Sequence, residues 1–201
     1  QQFLLQLNNP VEDMAPQIKL VILDRDGVIN QDSDSHIKSP DEWIPIPGSL
    51  QAIAALKAAD WTVAVATNQS GLARGLFDEP TLQAIHAKMC GALAEQQAGI
   101  DYLVWCPHGP DDECACRKPQ PGLYQQIAHH FGCALTDASV IGDSKRDLEA
   151  AVAVGARPIL VTTGKGPRTV AAGQLPAGTQ VYADLHAAVT ALLAAEIKTA
   201  P

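Results

Sequence analysis

The stretch that most constrains the fold is LVILDRDGVIN, residues 20–30, in which four apolar residues run directly into two aspartates and a glycine. An apolar run that ends at Gly27 is typical of a strand buried on both faces of a parallel sheet. Asp24 and Asp26 then follow its carboxyl end, where ligands bind in open α/β sheets. An ordinary Asp-Gly turn is the alternative. Because successive strand side chains alternate, Arg25 is expected to point away from both aspartates.

Similar apolar segments recur along the chain, and segments with helical periodicity separate them. The further strand-like segments are residues 61–67, 101–105, 139–142, 158–162 and a short stretch near residue 181. Regular alternation of strands and helices predicts an α/β fold with a Rossmann-like open parallel sheet and helices on both faces.

Length and charge limit the classes of protein to which the chain can belong. The 201 residues fit one domain, and we expect it to span residues 14–201, because Met14 could be a natural start and residues 1–13 a non-native extension. A net charge of -8 without a cluster of basic residues argues against nucleic-acid binding. No apolar run approaches the roughly 20 residues that span a bilayer, and no signal peptide is recognisable. These features predict a cytoplasmic protein without a membrane partner.

The strongest metal-binding pattern is CPHGPDDECACRKPQPG, residues 106–122. Cys106, His108, Cys114 and Cys116 are ligand types that zinc prefers, arranged as a CxH pair and a CxC pair. A site with these four ligands would pin the loop and leave no position for a catalytic water. A disulfide or free thiols are the alternatives, and the odd total of five cysteines favours the metal.

Two cations follow the last of these cysteines directly. Arg117 and Lys118 precede a predicted helix N-terminus, so the pair forms a good anion site if the metal fixes its position. A solvated basic pair is the alternative interpretation. By contrast, TTGKGP at residues 162–167 lacks the glycine spacing and Ser/Thr of a phosphate loop, and no nucleotide site is predicted there.

Polar residues after the first two strands are candidates for substrate contacts. Thr67 and Asn68, with Gln69 and Ser70 in the turn that follows, could cradle phosphate oxygens, although good turn chemistry would explain them as well. The polar, proline-rich loop of residues 31–48 contributes candidates that could hydrogen-bond a polyhydroxy substrate, or that could simply be solvated. These candidates are Asp32, Ser33, Asp34 and Ser35.

A further aspartate is expected at the same edge of the sheet as Asp24. Asp143 follows the apolar residues of segment 139–142, so Asp24, Asp26 and Asp143 together supply the hard oxygen ligands that suit Mg²⁺. Asp147, one helical turn later, is better explained as a capping or ion-pairing residue. With Mg²⁺ and Lys118 offsetting charge repulsion, Asp24 could attack phosphorus and Asp26 could act as general acid and base.

These residues resemble the four motifs of the haloacid dehalogenase-like phosphohydrolases. DRDGVIN, the Thr67-Asn68 pair, Lys118 and GDSKRD carry the resemblance, which runs from about residue 18 to residue 163. It implies that Asp24 is the nucleophile, that Asp26 is the acid/base, and that Asp24, Asp143 and the backbone carbonyl of Asp26 bind Mg²⁺. It also implies that Thr67 and Lys118 steady the phosphoryl group, that Arg117 helps to recognise the substrate, and that a separate cap domain is absent.

A narrower resemblance rests on NQSGLARG, the CPH and CxCRKPxPG runs, and GDxxxD. It is to the histidinol-phosphatase-related branch and implies a Mg²⁺-dependent phosphomonoesterase that acts on a small sugar bisphosphate in lipopolysaccharide core biosynthesis. A monomer is expected, because no long amphipathic extension of the chain is left without a core to face. Ser144, which stands where a lysine is common, is predicted to contact substrate. Histidinol-phosphate phosphatase is the rival, but its motif reads NQDG without the ARG at residues 73–75. A non-catalytic, zinc-stabilised binding module is the alternative from another class.

Overall fold

A computed structural model describes residues 17–199 of the chain. Its strands form one six-stranded parallel sheet in the order β3-β2-β1-β4-β5-β6. The strands are β1 (Leu20–Leu23), β2 (Thr62–Asn68), β3 (Tyr102–Cys106), β4 (Ser139–Gly142), β5 (Arg157–Val161) and β6 (Gln180–Tyr182). The predicted extension at residues 1–13 lies outside the described residues, and the domain limits stay a prediction.

Six α-helices connect or follow the strands within this range. They are α1 (Ser49–Ala58), α2 (Glu79–Glu95), α3 (Gly122–Phe131), α4 (Lys145–Ala153), α5 (Gly166–Ala172) and α6 (Leu185–Thr199). Helix α2 begins at Glu79 because the Asp78 side chain accepts a hydrogen bond from Thr81 N at 2.9 Å. No helix in the described part of the chain is both long and apolar enough to cross a bilayer.

The sheet is buried on both faces, as the continuous apolar strands predict. Val21 and Leu23 pack with buried residues of α1, α2 and α6, whereas Leu20 and Ile22 pack with buried residues of α3 and α4. Each such side chain contributes about 1.5–3 kcal/mol when removed from water. The predicted α/β class, with helices on both faces of an open parallel sheet, is confirmed.

The strand order places a topological switch point, between β1 and β4, at the centre of the sheet. Strand β1 pairs with β2 on one side and with β4 on the other, so the direction of winding reverses between β1 and β4. Ligands of open α/β sheets bind outside the carboxyl ends of the strands at such a switch point. Asp24 follows β1 and Asp143 follows β4, so both aspartates lie at this boundary.

The prediction that Arg25 points away from its neighbours is wrong. Its Nε and Nη2 atoms each donate a hydrogen bond to the Asp26 carboxylate at 3.0 Å. Regular strand geometry ends at Leu23, and the chain then turns at Gly27, where φ is 85°. Side-chain alternation therefore no longer applies at Arg25, because it holds only within extended backbone.

Candidate active site

A cavity of about 260 Å³ opens at the carboxyl edge of the sheet. All the predicted catalytic, magnesium-binding and substrate-binding residues line it except Ser35. The Ser35 backbone instead bonds within its own loop, because its N–H donates to Ser33 Oγ and its carbonyl accepts from Lys38 Nζ. The sheet thus brings together residues that lie as far apart in sequence as Asp24 and Ser144.

Lys118 lies buried at the floor of this cavity, with 2 % of its surface exposed. Its ammonium contacts Asp147 Oδ1 at 2.6 Å and Asp24 Oδ1 at 3.1 Å, and it donates to the Ala66 carbonyl at 2.7 Å. Burial alone would lower the pKa of Lys118, but the carboxylates of Asp147 and Asp24 outweigh it and raise the pKa. The residue therefore stays a fixed cation.

Asp147 is an ion-pairing and capping residue, as predicted. Besides its contact with Lys118, its Oδ2 accepts hydrogen bonds from Ser144 N at 3.0 Å and Ser144 Oγ at 2.7 Å, at the start of α4. Burial would raise the pKa of Asp147, but Lys118 and Ser144 together hold it below its usual range. Ser144, predicted to contact substrate, lines the cavity, but its hydroxyl already donates its hydrogen to Asp147.

The carboxylates of Asp24, Asp143 and Asp147 lie close enough to hold a cation, since one oxygen from each lies within 4.8 Å of the others. Burial, together with Asp147 and Asp26, raises the pKa of Asp24 to about 6 despite Lys118. Burial and the charges of Asp24 and Asp147 likewise raise the pKa of Asp143 to about 8. Such mutual repulsion suits a site whose ligand is a divalent cation.

Two of these carboxylates keep an oxygen free. Asp24 accepts bonds at Oδ1 from Arg25 N and Lys118, and Asp143 accepts at Oδ2 from Lys165 N at 2.7 Å. Within residues 17–199, no hydrogen bond or ion pair engages the second oxygen of either residue. Asp147 has both oxygens occupied, so Asp24 and Asp143 are the better metal ligands.

Glycines make room for this arrangement. A Cβ on Gly27 or on Gly164 would collide with Asp143 Oδ2, and both glycines have positive φ. The two loops that follow β1 and β5 therefore meet at Asp143. Thr163 Oγ1 ties them further by donating to the Gly27 carbonyl at 2.6 Å.

The Asp26 carboxylate has a set of side-chain hydrogen-bond donors that the other aspartates of the cavity do not share. Arg25, Asn30 and Gln69 all donate to it at 2.8–3.0 Å. Burial would raise the pKa of Asp26, but these contacts outweigh it and lower the pKa. The predicted metal contact of Asp26 involves its backbone carbonyl and stays a prediction.

The residues after β2 support one another as well as lining the cavity. Gln69 Nε2 donates to Thr67 Oγ1 at 2.9 Å, which leaves the threonine hydroxyl hydrogen free to donate. Asn68 exchanges two hydrogen bonds with the Lys118 backbone, each 3.1 Å long. Ser70 Oγ lies 3.2 Å from His36 Nε2, across the cavity. The predicted phosphate cradle therefore also holds the backbone of Lys118 in place, through Asn68.

Two ion pairs join the loop of residues 31–48 to the segment after β5. Asp32 Oδ2 lies 2.7 Å from Lys165 Nζ, and Asp34 Oδ1 lies 3.0 Å from Arg168 Nη2. The second pair is largely exposed and stabilises little. The Asp32–Lys165 ion pair has a second consequence, because the backbone N–H of Lys165 donates a hydrogen bond to Asp143. Through Lys165, the candidate substrate loop is therefore linked to a candidate metal ligand.

Sequence reasoning missed four cavity-lining residues with ionisable side chains, namely His36, Arg74, Arg146 and Lys165. A signal for Lys165 was present, since its segment follows strand β5 in the way that the other site loops follow their strands. The lack of a phosphate-loop motif at residues 162–167 does not exclude this segment from the site, because Lys165 lines the cavity. For Arg74 and Arg146 no comparable signal was present beyond their occurrence in the short ARG and KRD motifs.

The four predicted zinc ligands lie together. The Sγ atoms of Cys106, Cys114 and Cys116 are 3.1–3.7 Å apart, and His108 Nδ1 lies 3.3 and 3.5 Å from two of them. Tetrahedral zinc with bonds of about 2.3 Å to sulfur needs sulfur–sulfur separations of roughly 3.8 Å, so two of the three sulfur pairs match this spacing, and the Cys106–Cys116 pair, at 3.1 Å, is shorter. All five cysteines are free thiols, which does not support the disulfide alternative.

Arg117 is attached to this cluster. Its Nη1 donates to the His108 carbonyl at 3.2 Å, and its backbone N–H donates to Cys114 Sγ at 3.3 Å. Burial and the nearby cations Arg146 and Arg74 lower the pKa of Arg117. The cysteine-rich loop therefore fixes the position of a guanidinium at the cavity wall.

Comparison with family models finds two matches. Residues 19–146 match the polynucleotide kinase 3 phosphatase model, and residues 115–188 match a HAD-hydrolase-like model. Curated relatives named D-glycero-beta-D-manno-heptose-1,7-bisphosphate 7-phosphatase include one from Bordetella bronchiseptica, 60 % identical over 88 % of this chain and 98 % of the relative. Another, from Pseudomonas putida, is 55 % identical over 88 % of this chain and 100 % of the relative.

Solved structures agree with these matches. The B. bronchiseptica D,D-heptose 1,7-bisphosphate phosphatase, solved in complex with magnesium and phosphate, superposes with a TM-score of 0.87 at 60 % identity, covering 89 % of this chain and 99 % of that one. The Burkholderia thailandensis D,D-heptose 1,7-bisphosphate phosphatase gives a TM-score of 0.70 at 48 % identity, covering 87 % and 98 %.

Proposed function

Since the chain belongs to the HAD-like family of D-glycero-β-D-manno-heptose-1,7-bisphosphate 7-phosphatases, we propose that it removes the 7-phosphate of this sugar bisphosphate through an aspartyl-phosphate on Asp24. The observation that carries the mechanism is the convergence of Asp24, Asp143 and Lys118 in one cavity at the β1/β4 boundary. A non-catalytic binding module would not require this convergence.

In the first step, one carboxylate oxygen of Asp24 attacks phosphorus, and the bond from phosphorus to the sugar oxygen breaks. Lys118 contacts the Asp24 carboxylate at 3.1 Å and so fixes its orientation. The Thr67 hydroxyl donates its hydrogen to a phosphoryl oxygen, since its own lone pair already accepts from Gln69. Both groups are buried, which strengthens their interaction with the transferring charge.

Asp26 donates a proton to the departing sugar oxygen and then removes one from the water that hydrolyses the aspartyl-phosphate. Its contacts with Arg25, Asn30 and Gln69 favour the ionised form, so the base role is ready in the free enzyme. To act as an acid, Asp26 must be protonated, and these hydrogen-bond donors keep the protonated form the less populated one.

Two metals complete the proposal. Asp24, Asp143 and the Asp26 carbonyl would hold Mg²⁺, the ion present in the B. bronchiseptica relative. Bound Mg²⁺ offsets the repulsion between carboxylate and phosphate and polarises the phosphoryl group. Zinc held by the four Cys/His ligands is structural, because all its positions are filled by protein.

The cellular setting follows from the same chemistry. Thiolate ligands must stay reduced, which supports the cytoplasm as the place of action. The substrate class supports a role in lipopolysaccharide core biosynthesis. A monomer is the expected state, and light scattering during size-exclusion chromatography would test it.

The deciding experiment is phosphate release with Mg²⁺ from heptose 1,7-bisphosphate, in both anomers, and from histidinol phosphate. We expect kcat/KM to be higher for a heptose bisphosphate by several orders of magnitude. A preference for histidinol phosphate would move the enzyme to the rival function while leaving the Asp24 chemistry intact.

The matched variant is Asp24→Asn, which keeps the shape of the side chain and removes the nucleophile. Turnover should fall on the order of a thousandfold or more, with the thermal unfolding midpoint largely preserved. A folded Asp24→Asn variant that hydrolyses aryl phosphate at the wild-type rate would exclude the aspartyl-phosphate mechanism.

A further inference from the structure

Arg25 and His86 form a buried pair directly behind the Asp26 carboxylate. Neither of the two residues lines the cavity, although Asp26 does. Arg25 is completely buried, and His86 is 8 % exposed. The pair can therefore influence a bound substrate only through the residue that it holds.

The Arg25 guanidinium binds both oxygens of the Asp26 carboxylate. Its Nε donates to Oδ1 and its Nη2 donates to Oδ2, each at 3.0 Å. Asn30 and Gln69 each donate to a single oxygen, at 2.8 and 3.0 Å. A single hydrogen bond leaves a carboxylate free to rotate about its Cβ–Cγ bond, whereas a guanidinium that binds both oxygens fixes the carboxylate plane. Arg25 is therefore the residue that sets the orientation of Asp26.

His86 holds the guanidinium from the other side. The remaining nitrogen of Arg25, Nη1, lies 3.1 Å from His86 Nε2. Since a guanidinium can only donate, the imidazole nitrogen is the acceptor. His86 belongs to α2, and its ring lies beside that of Trp105 on β3, with the ring centroids 5.6 Å apart. A helix and a strand that contribute no residue to the cavity lining thus fix the position of Arg25.

Stability alone does not explain this buried cation. Removing a guanidinium from water carries a desolvation penalty that its ion pair offsets only in part, so an apolar side chain of similar size is often at least as stable in such a place. Within residues 17–199, Asp26 is the one carboxylate within ion-pairing distance of Arg25. A buried cation whose one anionic partner is the acid/base candidate is better explained by a role in the reaction.

We propose that Arg25 and His86 are positioning residues for the acid/base step: the imidazole holds the guanidinium, and the guanidinium directs the Asp26 carboxyl group towards the sugar oxygen that leaves phosphorus. The inference rests on the proposed function, which assigns the acid/base role to Asp26. Proton transfer requires the acid within hydrogen-bond reach of the leaving oxygen, so a small rotation of the carboxyl group slows it. Neither positioning residue touches the reacting atoms.

The test compares two leaving groups in the His86→Leu variant, which removes the acceptor for Arg25 Nη1. In both reactions, kcat/KM reports phosphoryl transfer to Asp24, the step in which the leaving group departs. A sugar oxygen must be protonated as it leaves, so kcat/KM for heptose 1,7-bisphosphate should fall about tenfold to a hundredfold, mainly through kcat. Dinitrophenolate leaves without a proton, so kcat/KM for 2,4-dinitrophenyl phosphate should change less than about threefold.

Three further variants show whether the hydrogen bond itself is responsible. His86→Gln should keep kcat/KM for heptose bisphosphate within about threefold of wild type, because its amide oxygen can accept from Arg25. Arg25→Lys, which keeps the charge but cannot bind both carboxylate oxygens, should show the same selective loss as His86→Leu. Ile85→Val is the control for lost packing, because Ile85 is fully buried beside His86 in α2 and does not line the cavity. It should leave both substrates unaffected.

A double-mutant cycle with Asp26→Asn completes the test. His86→Leu should cause no further loss on heptose bisphosphate in the Asp26→Asn background, because the carboxyl group that it positions has been removed. The same loss with and without the Asp26 carboxyl group would overturn the positioning role. Equal losses from His86→Leu on the two substrates, or no loss on either, would overturn it as well.

Phenyl phosphate separates this inference from the proposed function. A wild type that hydrolyses aryl phosphates but not heptose bisphosphate would refute the proposed substrate alone. Phenyl phosphate, whose leaving group is far more basic than dinitrophenolate, would then replace the sugar in the comparison. A His86→Leu variant that loses activity on phenyl phosphate selectively would still support the positioning role, and one that loses activity equally on both aryl phosphates would overturn it.

Discussion

At the scale of single residues, the pair Arg25 and His86 shows how a buried cation is made tolerable. Arg25 is completely buried; its guanidinium binds Asp26 on one side and lies 3.1 Å from His86 Nε2 on the other. A neutral imidazole can accept that third hydrogen bond, whereas a protonated one cannot. Burial and the Arg25 charge accordingly lower the pKa of His86 to about 4. His86 is thus a neutral acceptor behind the acid/base candidate.

His86 makes stability depend on pH in a defined direction. Its pKa is about 4 in the folded protein and about 6.5 in the unfolded chain, so the unfolded chain takes up the proton first as pH falls. The stabilisation is complete above pH 6.5 and is lost towards pH 4, at up to about 1.4 kcal/mol per pH unit.

The His86→Gln variant should remove this contribution to the slope. The free energy of unfolding, measured with urea at several pH values between 4.5 and 7, should depend less on pH in His86→Gln than in wild type. His129→Gln, which changes an exposed histidine, serves as the control. Equal slopes in wild type and His86→Gln would contradict the assignment of a neutral buried imidazole.

Individual site residues were predictable where a strand end marks them. Asp24, Thr67 and Asp143 each follow or end an apolar strand, and parallel strands bring such ends to one edge. The orientation of Arg25 could not be predicted from side-chain alternation, because the residue lies beyond the end of β1. Arg74 and Arg146 were missed because their side-chain directions depend on how a turn and a helix pack, which periodicity does not encode.

At the scale of elements, the cysteine-rich loop positions Arg117 at the wall of the cavity where we propose that substrate binds. Arg117 donates hydrogen bonds to His108 O and Cys114 Sγ of this loop. The Lys118 backbone is held by two hydrogen bonds with the Asn68 side chain. The loop should therefore matter more for recognising the sugar bisphosphate than for the chemical step. The clustering of its three cysteines and His108 could be predicted from the sequence, because a zinc site would need four such ligands close together.

Removal of the proposed zinc should separate these two effects. Cys116→Ser is expected to lower the zinc content and the unfolding midpoint, and to raise KM for the bisphosphate about tenfold as Arg117 loosens. The rate on a small aryl phosphate should fall less. Cys133→Ser, at a cysteine outside the cluster, is the control. Unchanged KM in a zinc-free Cys116→Ser protein would show that the loop does not position Arg117.

Helix α4 couples its own start to Lys118, the proposed catalytic lysine. The Ser144 hydroxyl binds Asp147, and Asp147 in turn binds Lys118. Ser144→Ala should cost about 1 kcal/mol of unfolding free energy, as expected for an N-cap, and should also reduce kcat. Asp78→Ala, at the N-cap of the remote helix α2, should cost a similar amount of stability without changing kcat. Identical kcat values in the two variants would argue against the coupling.

At the scale of the whole molecule, the strand order concentrates negative charge at one boundary. Apolar segments in the sequence predicted the strands and their burial, but which strands are neighbours depends on long-range pairing that local pattern does not specify. The observed order places β1 beside β4 and so sets Asp24 and Asp143 together. The fold accepts this repulsion because the proposed Mg²⁺ neutralises it.

The resulting stability should depend on Mg²⁺ and pH together. Without metal, the pKa values of Asp24 and Asp143, about 6 and about 8, lie above the unfolded value of about 3.9. The folded protein therefore retains protons that the unfolded chain has released, and its stability declines as pH rises through this window. Mg²⁺ binds the ionised carboxylates, so its stabilising effect should increase over the same window.

Thermal unfolding in chelator and in Mg²⁺, at pH 6 and at pH 8, measures this coupling. We expect the rise in melting temperature caused by Mg²⁺ to be larger at pH 8 than at pH 6. Asp143→Asn should be more stable than wild type in chelator at pH 8, because one repelling charge is removed, and should respond little to Mg²⁺. An equal Mg²⁺ effect at both pH values would mean that the aspartate cluster is not repelled in the way its geometry implies, and that Mg²⁺ stabilises the fold elsewhere.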